Sequence, residues 1–335
     1  MLAERAREVA LEAAVRERLD EIETALMRVA EADTALVTEA AQHVIAAGGK
    51  RFRPLLVVLA SHVGDPAGSA NGARADDVVR AALVVELTHV ASLYHDDVMD
   101  EARLRRGSDS ANARWGNTVA ILVGDFLFAR ASEVVARLGT EFVRLQARTF
   151  ARLVQGQIAE TVGPQDGDPL QHYLSVVADK TASLIATSAL FGAKVAGADV
   201  ATQQALAAFG EEIGTVFQLS DDIIDVTSDV TGKTPGTDLR EGIPTLPTLL
   251  FRRSADPGGS STDARLLQLL DSDLSEDADL AEALALLRAH RCVDEARGEV
   301  RRRADRARSF LSDLPAGPAR DALADLCDSV VTRSS

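Results

Sequence analysis

Apolar residues recur at three- and four-residue intervals through the stretches 5–30, 34–47, 76–100, 117–138, 141–160, 200–228 and 278–312 of this chain. That is the period of a helix with one buried face, and no alternating run of strand length competes with it. Aromatic residues make up only 4% of the sequence, while alanine, leucine, arginine and glutamate dominate, which again favours helix over sheet. No Asn-Gly or Asp-Gly pair joins two alternating runs as a hairpin turn would. The expectation is an all-α protein of about a dozen helices, judged by ordinary helix lengths. The breaks at Gly64 to Asp76, Gly163 to Asp168 and Ser254 to Asp263 lack the length or bias of an interdomain linker. Residues 1–335 therefore read as a single helical bundle around a central cavity, with the motif-bearing core at about 40–250.

Charge narrows the function. A formal net charge of -15 argues against a nucleic-acid partner, which needs a basic surface. It also repels any anionic substrate at long range, unless divalent cations reverse the field locally. Cys292 and Cys327 have neither metal-ligand spacing nor a disulfide framework, as expected of a cytoplasmic protein. The first 23 residues lack the apolar core of a signal peptide, and no run of 18 apolar residues suggests a membrane span.

Two acidic clusters carry the strongest chemical signal. Asp96, Asp97 and Asp100 end the helical stretch that begins near Asp76, and Asp221, Asp222 and Asp225 close the one from about Ala201. In each, the first and last carboxylates stand at i and i+4, one turn apart on one helix face. Like charges there destabilise a bare helix, whereas a hard cation such as Mg2+ binds oxygen ligands and keeps room for waters and substrate phosphates. One such cluster alone reads as a solvated helix end; two, each closing a long apolar helix, point to metal.

Basic residues stand beside these clusters. Lys50, Arg51 and Arg53 lie on a glycine loop, Gly48 to Arg53, feeding a helix that Pro54 opens, where backbone N–H groups favour anions. Arg105 and Arg106 follow the first cluster, Lys180 and Thr181 open another helix, and Lys233 and Arg240 follow the second cluster. Lysine and arginine are natural diphosphate ligands, arginine through its bidentate fork.

Together the segments GGKRFRP (48–54), DDVMDEARLRRG (96–107), KT (180–181), FQLSDDIID (217–225) and GKTPGTDLREGIPTLP (232–247) resemble the trans-polyprenyl diphosphate synthases of long-chain type. The resemblance implies an all-α prenyltransferase, normally a homodimer, that joins isopentenyl diphosphate to an allylic prenyl diphosphate with Mg2+, three ions when substrate is bound. Asp96, Asp97, Asp100 and Asp221 are similar to its metal ligands, supported by Asp222 and Asp225. Arg105, Lys180 and Lys233 are similar to the residues that grip the allylic diphosphate. Lys50, Arg53, His89 and Arg106, with Arg51 beside them, resemble the isopentenyl diphosphate site. Thr181 and Gln218 resemble the dipoles that face the developing cation. Two departures stand out: Ile243 where the family often carries lysine, and Gln155-Gly156-Gln157 through Glu160 in place of the usual Gly-Glu pattern.

Product length is read just before the first cluster. Ala91 and Ser92, four and five positions before Asp96, are small where short-chain members of the family place bulky aromatics, and Tyr94 projects to another side of the helix. A long-chain product follows, with loose membrane association through that product. Farnesyl or geranylgeranyl diphosphate synthesis is the alternative. Three rivals remain. A class I terpene cyclase would not need the GGKRFRP loop. A di-iron bundle would need a second partner for the Glu86-x-x-His89 spacing. A silent subunit of a heteromeric synthase would have lost aspartates or basic ligands, and this chain keeps both.

Overall fold

The computed structural model describes residues 2–65, 73–227 and 235–333. In chain order the elements are α1 (Leu2–Val29), α2 (Ala35–Ala46), α3 (Phe52–Gly64), α4 (Ala73–Met99), a small hairpin of β1 (Leu104–Arg105) and β2 (Ser108–Asp109), α5 (Ala111–Trp115), α6 (Asn117–Ala136) and α7 (Thr140–Val162). There follow α8 (Pro169–Val176), a π-helical turn (Val177–Ala182), α9 (Ser183–Val195), α10 (Val200–Thr227) and α11 (Thr237–Arg240). The chain closes with α12 (Leu246–Ser254), α13 (Ser261–Leu270), α14 (Asp277–Ala289), α15 (Cys292–Ser309) and α16 (Pro318–Arg333). The protein is all-α, as its periodicity requires.

Three local features depart from the sequence reading. The stretch 278–312 is two helices, broken where His290 is extended (φ -85°, ψ 143°) and its Nδ1 accepts the Cys292 N–H, with no glycine or proline to signal it. Helix α3 begins two residues before Pro54, so the proline sits in the first turn, where its missing N–H costs no helical bond. Lys180 and Thr181 do not open a helix; they lie in the π turn between α8 and α9.

By compactness the chain divides into two units. The first gathers the chain up to Ala151 with Leu184–Gly210 and Asp313–Leu323; the second gathers Arg152–Ser183, Glu211–Ser312 and the chain from Ala324. Each unit is assembled from three segments separated along the chain.

In the first unit α4 is the axis, packed on α6, α3 and α1. Its apolar face, including Val84, Leu87 and Val90, is fully buried. Truncating a residue such as Leu87 to alanine costs about 2–5 kcal/mol by lost transfer energy and cavity formation. At Gly124 of α6 a Cβ would lie 2.4 Å from the His95 ring, so only glycine lets the two helices approach this closely. In the second unit α12 packs on α15, α8 and α14 around Leu246, Phe251, Leu287 and Val300. The continuous helical stretch Pro169–Val195 is long and apolar enough on average to cross a bilayer, but 61% of its most apolar window is buried inside the protein, as in a core helix.

Candidate active site

In the first unit, α4 delivers the first acidic cluster at its C-terminal end, with Asp100 exposed, Asp96 half-buried and Asp97 fully buried. A buried carboxylate needs a charge partner. Arg105 supplies it: its Nε lies 2.7 Å from Asp97 Oδ1 and its Nη2 bonds the same oxygen. Asp97 Oδ2 is buried with no hydrogen-bond partner.

The hairpin that carries Arg105 was not legible in sequence. Its turn residues Arg106 and Gly107 have φ of +54° and +81°, as a two-residue type I′ turn demands, but arginine stands where asparagine or aspartate would have announced it. Arg106 reaches back to the glycine loop, bonding Val44 O at 3.1 Å and also Gly48 O. Gly48 has φ +82°, and at Gly49 a Cβ would lie 3.0 Å from the Arg106 guanidinium. The first glycine therefore serves the backbone and the second makes room for the guanidinium.

Arg51 is engaged within the protein. Its guanidinium donates to Glu23 at 2.6 and 2.7 Å, to Glu86 at 3.0 Å and to Ile45 O at 2.8 Å, which consumes the fork. With φ +46° it caps α3 in a left-handed conformation. Such backbone costs of order 1–3 kcal/mol and persists where surroundings enforce it. Arg51 therefore braces the loop, anchored by Glu23, which no motif flagged, and by Glu86, flagged only by its spacing to His89. Glu86 is thereby also accounted for without iron.

Arg53 and His89 lie deeper. Burial, followed by the charge of Arg106, brings the Arg53 guanidinium down to about 10 against the support of Glu86, and its Nε has no partner. Burial first, then the charges of Arg53, Arg106, Arg105 and Arg51, drive His89 well below its usual 6.5. A neutral imidazole among four guanidinium groups marks a local positive field in a strongly acidic protein. Exposed Lys50 stands on the same loop.

Further up α4, Tyr94 is fully buried and turned to α2, donating to Ala40 O and accepting from Val44 N. Ala91 is fully buried, and its carbonyl is 3.2 Å from where a Gly124 Cβ would stand; Ser92 is 9% exposed and bonds His89 O of its own helix.

In the second unit, α10 carries the second cluster, and its three carboxylates have three different partners. Asp222 is buried; its Oδ1 accepts from Gln218 Nε2 at 3.1 Å, and its Oδ2 accepts from Tyr173 OH and from the Leu246 N–H at 3.1 Å. That N–H belongs to the start of α12, where Thr245 and Thr248 form a reciprocal cap. Burial raises the Asp222 carboxyl to about 6 although the three hydrogen bonds oppose it. Both oxygens thus accept hydrogen bonds from the protein, and Asp222 ties α10 to α8 and to the start of α12. Tyr173 is itself raised well above its usual value by burial and by Asp222.

Asp225 accepts the Thr237 and Asp238 N–H groups at 3.3 Å at the start of α11. Asp221 is half-exposed and paired with Arg333 of α16 at 2.8 Å, while Arg333 also covers the Phe217 ring. Thr181 Oγ1 lies 3.3 Å from Gln218 Oε1, so the two expected dipoles meet and connect onward to Asp222. Lys180 is ion-paired with Glu160. Lys233 lies outside the described residues. Tyr173 and Arg333 had no signal in the sequence, and Leu246, although inside the 232–247 segment, had none that related it to α10.

Does this donor set fit a metal? Carboxylate oxygens suit a hard divalent cation, and Asp97 Oδ2 is an orphaned oxygen at the end of α4. Among the described residues no group of three His, Cys, Asp or Glu is drawn together tightly enough to hold a metal. A cation here would complete its shell with substrate oxygens and water, the habit of Mg2+ at phosphate sites. The residues fit on those terms.

Carboxylates at the ends of α4 and α10 and arginines about the glycine loop, on an all-α scaffold, are the equipment of a class of enzymes that handle diphosphates. The polyprenyl synthetase family pattern matches residues 34–287. A nonaprenyl diphosphate synthase of Mycobacterium tuberculosis is 46% identical over 89% of this chain and 87% of its own length. A dimethylallyltranstransferase of the same organism is 40% identical over 87% and 86%. Among solved structures, the geranylgeranyl pyrophosphate synthase of Corynebacterium glutamicum, complexed with calcium and isoprenyl diphosphate, superposes with a TM-score of 0.85 at 41% identity, covering 97% of this chain and 98% of that one. The chain belongs to the polyprenyl synthetase family, and its activity is that of a prenyltransferase, a polyprenyl diphosphate synthase.

Proposed function

We propose that the enzyme condenses isopentenyl diphosphate head to tail with an allylic prenyl diphosphate and repeats the step to a long all-trans chain. The observation that carries this is the glycine loop held by Arg106 at Val44 O and Gly48 O, next to Arg53, whose buried Nε has no partner, a ready seat for the diphosphate of isopentenyl diphosphate. Arg53 and Arg106 contact that anion in this reading, with Lys50 beside them, while Arg51 holds the loop in shape.

The allylic C–O bond breaks with its electron pair leaving on diphosphate. The alkene of isopentenyl diphosphate attacks the cation, a C–C bond forms, and a proton is lost, with the departing diphosphate as its acceptor. Arg105 and Lys180 stabilise the leaving anion. The Thr181 hydroxyl donates to the Gln218 carboxamide oxygen and the Gln218 amide donates to Asp222, a chain that leaves the Thr181 oxygen lone pairs to face positive charge. Mg2+, held by Asp96, Asp97, Asp100 and Asp221, would supply further charge neutralisation on the leaving diphosphate. Asp222 and Asp225 position that set rather than joining it.

A long product is supported by small Ala91 and Ser92 and by likeness to the nonaprenyl diphosphate synthase. Likeness to the geranylgeranyl enzyme favours a second reading, a stop at that length. Incubating the pure chain with Mg2+, isopentenyl diphosphate and farnesyl diphosphate, then sizing the product, separates them. Cyclised hydrocarbon or turnover without divalent metal rejects the whole reading.

We further propose a homodimer, supported by the exposed Ile121 and Leu122 side by side on α6. A cytoplasmic setting fits Cys292 and Cys327, whose thiols burial pushes up to about 12 and about 11, leaving them inert.

A further inference from the structure

The family resemblance left the segment around Gln155–Glu160 without a role. Arg152, Gly156 and Glu160 stand four residues apart on α7 and so form one stripe. That stripe receives the π turn. Arg152 Nε donates to Asp179 Oδ1 at 2.6 Å, and its Nη2 reaches Ala178 O at 3.3 Å as well as Glu211 of α10. Ala178 O is also the carbonyl that takes the wide-turn bond from the Ser183 N–H. At Gly156 a Cβ would stand 2.6 Å from Lys180 N and 3.0 Å from Lys180 Cα, so only glycine allows α7 to press on that backbone. Glu160 then takes the Lys180 ammonium.

A π turn carries one residue more than the α-helical register, and it reverts unless something holds it. Losing that residue would rotate the following side chains by roughly 100° about the helix axis. Lys180 and Thr181 would then no longer point where Glu160 and Gln218 now meet them.

We propose that Arg152 is a positioning residue for prenyl transfer: by bridging Asp179, Ala178 O and Glu211 it fixes the π turn that aims Lys180 and Thr181. This rests on the reading above that Lys180 and Thr181 serve the allylic half of the reaction. It predicts a loss in the chemical step without loss at the isopentenyl diphosphate seat.

The test uses the full-length enzyme with Arg152→Met, with Arg152→Lys, and with Arg152→Met/Asp179→Asn/Glu211→Gln, which leaves no carboxylate stranded if the single variant folds poorly. Steady-state kinetics are read beside amide hydrogen exchange of residues 177–182. Expected are a fall of about 10²-fold in kcat for the methionine variants, the cost of a slight misplacement. The KM for isopentenyl diphosphate stays within about twofold, amide exchange across the turn accelerates, and lysine restores part of kcat. The proposal is overturned if exchange at 177–182 is unchanged, if kcat stays near wild type, or if KM for isopentenyl diphosphate rises in step with the loss of kcat. Absence of turnover in the wild type would instead strike the prenyl-transfer reading, and exchange alone would still decide whether Arg152 holds the turn.

Discussion

The two aspartate clusters have the same letters and the same spacing, yet the structure surrounds their middle members in opposite ways. Asp97 in the first unit is buried against a full charge, Arg105. Asp222 in the second is buried among neutral donors, Tyr173, Gln218 and the Leu246 N–H, and its carboxyl rises to about 6. Around the middle aspartate the first cluster is held by fixed charge and the second by a relay of dipoles. Diphosphates are anions and the allylic intermediate is a cation, and the two kinds of surroundings suit opposite charges.

The largest effect tests what the clusters share. Asp96→Asn and Asp221→Asn should each cost about 10²–10³-fold in kcat, with more Mg2+ needed for half-saturation, as titration of the metal would reveal. Loss confined to one of them would mean that the clusters are not equivalent in holding metal.

Next come the neighbours, where the two regions should part. Arg53→Met removes charge and should raise the KM for isopentenyl diphosphate by about 10–100-fold, since hydrogen bonds to charged groups are worth about 1.5–3 kcal/mol. Gln218→Met removes a neutral dipole and should lower kcat by about tenfold with that KM little moved. If both variants change the same constant, the contrast between charge field and dipole relay is false.

Acidity offers a third comparison, because the regions should respond to pH with opposite signs. His89 is held neutral in the fold, so the unfolded chain takes up a proton below its usual 6.5 and stability falls as pH drops through that value. Asp222 runs the other way. Folded, it keeps its proton up to about 6, against 3.8 unfolded, so its contribution falls as pH rises between those values. Each slope approaches about 1.4 kcal/mol per pH unit. Denaturant melts across pH 4–7 should show His89→Gln flattening the first trend and Asp222→Asn the second.

The smallest energetic effect concerns length. Ser92→Phe should shorten the product on chromatography while leaving the rate within about an order of magnitude. Ala91→Phe is a poorer probe, because Ala91 is already packed without exposure and overpacking typically costs about 1–3 kcal/mol. Unchanged product with Ser92→Phe would place the tunnel elsewhere.

Much of this molecule was written in local sequence. Period alone gave α1, α2, α4, α6, α7 and α10, though it merged α14 with α15, and the ends of α4 and α10 fall within a residue or two of where the acidic clusters imply. The excess of basic residues around the glycine loop was equally plain. Tertiary structure alone decided which of several similar residues does what. Arg51 and Arg53 differ by two positions, but Glu23 and Glu86 consume one and burial isolates the other. Lys180 and Thr181 looked like a helix start and instead occupy a π turn seated on Arg152 and Gly156. Asp221, Asp222 and Asp225 read as one set until Arg333, Tyr173 and the α11 backbone divided them. The reason is physical: helix propensity and spacing are properties of neighbours along the chain, whereas desolvation and the identity of a charge's partner depend on residues brought from far away by packing.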